Sequence, residues 1–107
     1  MKLIFAIVSN EDASRVQAAL TSANFQVTRL ATTGGFLMAG NTTFLCGTDN
    51  DKVDEVIAIV SEHSKSRTHT IPSAASYGVG MYTTYPVKVP VGGATIFVTD
   101  IDRFEKV

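Results

Sequence analysis

The chain has 107 residues, 45% hydrophobic and 18% charged, with a formal net charge of −1. Length and composition describe one globular domain, residues 1–107, with one core. The charge balance excludes a binder of a nucleic-acid polymer that relies on a basic surface, and a single cysteine, Cys46, forbids an internal disulfide and points to a reducing, cytoplasmic setting.

Residues 2–8 form a continuous β-prone run, as in a central strand covered on both faces. It ends in Ser9-Asn10-Glu11-Asp12 without a small-residue cleavage site, so it reads as a strand and not as a signal segment. Those four residues supply a cap and early negative charge for a helix. Val16, Ala19, Leu20 and Ala23 then repeat on one helical face, and Asn24 suits the exit. Residues 25–32 predict a second strand, with Gln26, Thr28, Leu30 and Thr32 on one side and Phe25, Val27, Arg29 and Ala31 on the other. Thr33-Gly34-Gly35 breaks it, and residues 41–46 predict a third strand. Residues 47–51 read as a turn and helix start, followed by a helix with Val53, Val56, Ile57 and Val60 on one face, ending near His63. Residues 66–90 lack helical periodicity and read as a long loop of a functional kind, closed by an extended piece, "YPVKVPV". "GGATIFVTD" is a last strand and "IDRFEKV" a short tail.

The order is β-α-β-β-α-β, which predicts an α+β, ferredoxin-like domain: an antiparallel four-stranded sheet with two helices on one face and a long loop before the last strand. The other face has no helix, yet its strands are apolar or neutral, so self-association is the expected cover. No stretch approaches the roughly 18 apolar residues of a membrane span.

The fold alone carries no function, and the residues turn several away. An RNA-recognition domain needs exposed aromatics and basic surroundings on its central strands, whereas "NTTFLCG" has one aromatic and no basic residue. A metal carrier of this fold wants paired cysteines after the first strand; the chain has "VSNED" there. Arg15 and Asn10 read as helix-start surface and cap rather than as an acyl-phosphatase site. His63 and His69 read as solvated, and Asp49, Asp51, Asp54 and Glu55 as helix caps without the glycine and distal glutamate of a calcium loop. Cys46 reads as a small core residue. No catalytic constellation and no metal site emerges.

One block is more specific. "RLATTGGFLMAGNTTFLCG", residues 29–47, is followed by "DKVDEV" and by "YPVKVPVGGATIFV" at 85–98, and the chain opens "MKLIFAIVSNEDA". Together these resemble the cyclic di-AMP receptor family of P-II-like signal-transduction proteins. The resemblance implies a non-enzymatic second-messenger receptor, a homotrimer with cyclic di-AMP in the clefts between subunits, loops that move on binding, and a downstream protein partner. The alternatives are a P-II-like regulator answering to ATP or another adenine nucleotide and, behind it, a small hydrolase.

On that resemblance, Gly34 and Gly35 let backbone N–H groups approach a phosphate or base. Phe36 stacks an adenine and Leu37 closes an apolar wall. Asn41 offers a donor and an acceptor to an adenine edge. Thr28 offers a hydroxyl to a phosphate, Gly47 leaves room, and Phe97 adds an aromatic surface from a neighbouring subunit. Gln26 and Thr28 share one strand face, and Asn41 and Gly47 share a parity, so the four are expected to converge. Gln26 stands where the family pattern usually has a basic residue able to pair with phosphate. Weaker binding is therefore expected, with Arg29 or Lys106 supplying the charge.

Overall fold

The computed structural model describes residues 1–30, 40–72 and 86–107. In them the chain runs β1 (Lys2–Ser9), α1 (Asn10–Ser22), β2 (Val27–Leu30), β3 (Asn41–Thr48), a 3₁₀ turn (Asn50–Lys52), α2 (Val53–His63), β4 (Arg67–Pro72), β5 (Pro86–Val91) and β6 (Ala94–Asp100). Four strands make one antiparallel sheet in the order β2-β3-β1-β6, while β4 and β5 pair separately as an antiparallel ribbon. With the ribbon set aside, this is the ferredoxin-like β-α-β-β-α-β arrangement that the periodicity predicts.

The core lies between the sheet and the two helices. Alternate residues of β1, Ile4, Ala6 and Val8, are buried, as are Phe44 and Cys46 of β3. The helices meet them with Ala13, Val16 and Leu20 of α1 and Val56 and Val60 of α2. Large faces small across the central strand pair: Phe44 lies opposite Ala6, and Cys46 opposite Ile4. That alternation lets the layer close without overpacking.

Three boundaries differ from the sequence expectation, each for a local reason. β2 starts at Val27 rather than at residue 25, because the α1 exit captures the preceding chain: Asn24 takes a left-handed conformation at φ 69°, and the Phe25 N–H donates to the Leu20 carbonyl at 3.0 Å. β3 continues through Gly47 and Thr48 because Leu3 and Lys2 of β1 remain opposite them as partners. Finally, the segment expected as a long loop contains the β4–β5 ribbon, with Arg67 opposite Val91 and Pro72 opposite Pro86. Each strand of a two-stranded ribbon has a free edge, which is where prolines are tolerated.

Candidate functional site

Cross-strand partners share a face, so the register fixes what the helix-free side of the sheet presents. It carries Phe5 and Ile7 of β1, Thr28 and Leu30 of β2, Asn41, Thr43, Leu45 and Gly47 of β3, and Thr95 and Phe97 of β6. Thr28, Leu45, Phe5 and Phe97 form one row across all four strands. Phe97 is 58% exposed. Thr43 is buried on this face, and its hydroxyl has no hydrogen-bond partner among the described residues. The face mixes apolar side chains with the hydroxyls of Thr28, Thr43 and Thr95.

Two clefts open at opposite ends of the sheet. One, about 370 Å³, lies where β2 begins and β3 ends, and is lined by Asn24, Gln26, Gly47, Asp49 and Lys52 among others. The second, about 330 Å³, is lined by Ile7, Ser9, Asn41, Gly92, Gly93 and Thr95. Asn41 and Gly47 bound the same strand six residues apart, a span of about 20 Å. Thr28 and Phe97 occupy the two edge strands, roughly 14 Å apart at about 4.8 Å per strand. Thus Thr28, Asn41, Gly47 and Phe97 share the helix-free face; Gln26, just before β2, lines one cleft with Gly47, Asn41 lines the other, and Thr28 and Phe97 line neither, so the expected convergence of four is not met within one chain. Gly34, Gly35, Phe36 and Leu37 lie outside the described residues.

The Asn41 cleft is built from the α1 N-terminus and from the root of the ribbon. Ser9 caps α1, its hydroxyl accepting from the Glu11 N–H at 3.3 Å. Asn10 ties the same end to β3: its N–H donates to the Gly40 carbonyl at 2.7 Å, and its side-chain oxygen accepts from Thr42 at 2.5 Å. One turn into α1, the carboxylate of Asp12 is wholly buried and is held by Arg15 and by both terminal nitrogens of Arg67, at 2.9 and 3.3 Å. Glu11 adds a further contact to Arg67 at 3.2 Å. The Asp12 hydrogen bond, followed by the charges of Asp12 and Glu11 acting against desolvation, raises the Arg67 guanidinium above its already high ordinary value. Gly92 allows this clasp. It holds φ 79°, and a Cβ there would stand 2.5 Å from both Arg67 Nη1 and the Lys65 carbonyl oxygen. The ribbon is therefore anchored to the helix that walls the Asn41 cleft.

The electrostatics of the Gln26 cleft differ from the expectation. Arg29 is not available to it: its guanidinium lies 5.9 Å from the centroid of Phe44 on the helix side of the sheet and reaches Gln17 at 3.5 Å. Lys106 is exposed in the tail and lines neither cleft. The basic side chain that does line the cleft is Lys52, which stands in the "DKVDEV" block but was given no ligand role from the sequence. Its N–H donates to the Asp49 carbonyl at 3.0 Å. Asp49 occupies the cap position of the 3₁₀ turn but makes no side-chain cap hydrogen bond, contrary to the capping role expected for it.

The remaining polar candidates have structural roles. His63 is half-buried rather than solvated, its Nδ1 2.9 Å from the Ile59 carbonyl oxygen. Arg15 pairs with Asp12, and Cys46 is a core residue whose thiol burial pushes up. Lys2 pairs with Asp100, and this hydrogen bond, reinforced by charge, holds that carboxyl below its usual range. Among the described residues no group of three or more His, Cys, Asp or Glu side chains gathers to hold a metal ion. None of the described helices is long and apolar enough to cross a membrane.

Comparison with known proteins bears on what such a face receives. A crystal structure of a functionally unknown protein from Pediococcus pentosaceus ATCC 25745 is similar to this chain at 39% identity, with 99% of this chain and 96% of that one covered and a TM-score of 0.75. It confirms the architecture across nearly the full length without assigning a ligand. The family model described as "Cyclic-di-AMP receptor" matches residues 1–107. A match over every residue, on a chain whose strand-turn-strand block already resembles that family, leads to one conclusion: this chain belongs to the cyclic-di-AMP receptor family.

Proposed function

We propose that the protein is a non-catalytic signalling receptor that binds cyclic di-AMP in clefts between the subunits of a P-II-like homotrimer. The observation that carries this reading is the division of the candidate residues. Asn41 and Gly47 share the helix-free face yet sit at opposite ends of β3, Gly47 with Gln26 in one cleft and Asn41 in the other. A compact cyclic dinucleotide does not span about 20 Å of strand. A second copy, laying its Asn41 end against the Gln26 end of the first, completes a site that one chain leaves open. The threefold count follows the resemblance to P-II-like proteins, and burial of the Phe5–Phe97 row supplies a hydrophobic reason for assembly.

Within such a cleft, Phe36 and Phe97 offer rings to the adenines, Asn41 reads an adenine edge through its amide, and Thr28 meets a phosphate. Gly34, Gly35 and Gly47 admit close approach, with Leu37 as an apolar wall. Ligand at the Asn41 end also meets Ser9 and Gly92–Gly93, the two walls joined by the Asp12–Arg67 clasp. Occupancy that favours one spacing of those walls reorders the loops 34–39 and 66–90, and so presents a different surface to a downstream protein.

Calorimetry of the purified protein with cyclic di-AMP, cyclic di-GMP and ATP tests the reading. Heat is expected with cyclic di-AMP and not with cyclic di-GMP. Phe36→Ala is expected to weaken binding by about 1–3 kcal/mol. Absence of heat with cyclic di-AMP contradicts the proposal, and preference for ATP transfers it to an ATP-responsive regulator.

A further inference from the structure

A cyclic dinucleotide carries two phosphodiester charges, and desolvating them in a cleft requires a cation or several donors. Most basic residues with described side chains are committed elsewhere. Lys2 is paired with Asp100, Arg15 and Arg67 with Asp12, and Arg103 with Glu105. Arg29 lies over Phe44 on the other side of the sheet. Lys65 lines a different cavity, with Ser61, Ser64 and Ile96. Lys52 is exposed, forms no ion pair among the described residues, and lines the same cleft as Gln26 and Gly47.

Its local setting is also unfavourable for a purely structural lysine. Lys52 occupies the cap position of α2 and makes no side-chain cap hydrogen bond. Its backbone is helical and continues the 3₁₀ turn into α2, so a cation there faces the positive end of the helix dipole. A residue that breaks a local preference without a structural return is a candidate for function. The helix end that disfavours Lys52 also favours an anion beside it. Asp49, in the same cleft, opposes an anion and sharpens the need for a cation.

We infer that Lys52 supplies the positive charge of the Gln26 cleft and pairs with a phosphodiester of the bound dinucleotide, beside the uncharged hydrogen-bonding group of Gln26. This rests on the receptor reading above. It assigns a charge role to a different element, the turn before α2, and makes Gln26 and Lys52 partners on one ligand.

The test is titration of the full chain with cyclic di-AMP at low and high salt. Lys52→Gln is expected to weaken binding roughly five- to tenfold, as for loss of a partly exposed charge-assisted hydrogen bond, and to flatten the salt dependence. Lys52→Arg retains affinity, and adding Gln26→Arg to Lys52→Gln restores it. Lys65→Gln, in the other cavity, binds as wild type. Wild-type binding with an unchanged Lys52→Gln variant overturns the inference and leaves the receptor reading standing. So does equal weakening by Lys65→Gln. No wild-type binding overturns both.

Discussion

Cys46 shows how far a single residue's chemistry follows from its place. Its thiol sits in the core opposite Ile4, and burial raises its pKa. In the unfolded chain the thiol loses its proton near the ordinary value of about 8.5, while the folded chain still holds it. Above that pH the unfolded state binds fewer protons, so stability falls as pH rises toward the folded value. Urea melts at pH 7 and 9.5 should therefore show a steeper loss in wild type than in Cys46→Val; equal losses would remove this role. The core position of Cys46 was legible, because an apolar β-prone run with one cysteine leaves few other readings. Lys52 was not. A lysine among Asp49, Asn50 and Asp51 looks like solvated surface until the fold sets it beside Gln26. Arg29 erred in the opposite direction: its place next to the ligand block suggested a phosphate partner, and strand parity turned it to the helix side, over Phe44.

Among the elements, the four sheet strands and both helices announced themselves by period. Val16–Leu20 and Val56–Val60 recur four apart, so the buried helix faces were visible before the fold; the continuous run of β1 suggested cover on both faces, whereas only the alternate Ile4, Ala6 and Val8 are buried. The ribbon was hidden because β4 and β5 are weakly apolar and pair across an intervening segment, 73–85, too long to read as a hairpin turn. Its anchor was hidden more deeply. Asp12 and Arg67 stand 55 residues apart, and nothing in the sequence couples them. Gly92 gives the anchor a direct test. Alanine there meets a left-handed backbone and a blocked Cβ position together. Gly92→Ala should cost about 1–3 kcal/mol and speed amide exchange in β4 and β5 while sparing β1 and β3. Gly47→Ala, where a Cβ meets nothing within 4 Å, should leave exchange unchanged. Matching behaviour of the two variants would show that the clasp does not hold the ribbon.

For the whole molecule, the unhelixed face was anticipated from topology, whereas Phe97, exposed on it, entered only through the resemblance; the family follows from a match over the entire chain. The separation of the candidate residues into two clefts was beyond the sequence. Parity alone put Asn41 and Gly47 together, and only their positions at the two ends of one strand separate them. The central claim is that copies complete each other's sites, and subunit mixing tests it directly. Asn41→Ala damages one half-site, and Gly47→Glu blocks the other with a side chain that the fold leaves room for. Each variant alone should bind little cyclic di-AMP. After the two are unfolded and refolded together in equal amounts, about a quarter of the clefts should pair an intact Asn41 with an intact Gly47, if subunits mix at random in a closed ring. Titration recovering binding at that fraction is the result the account predicts. No recovery in a mixture shown to contain mixed oligomers, with wild type binding normally, would contradict it and return the site to a single chain.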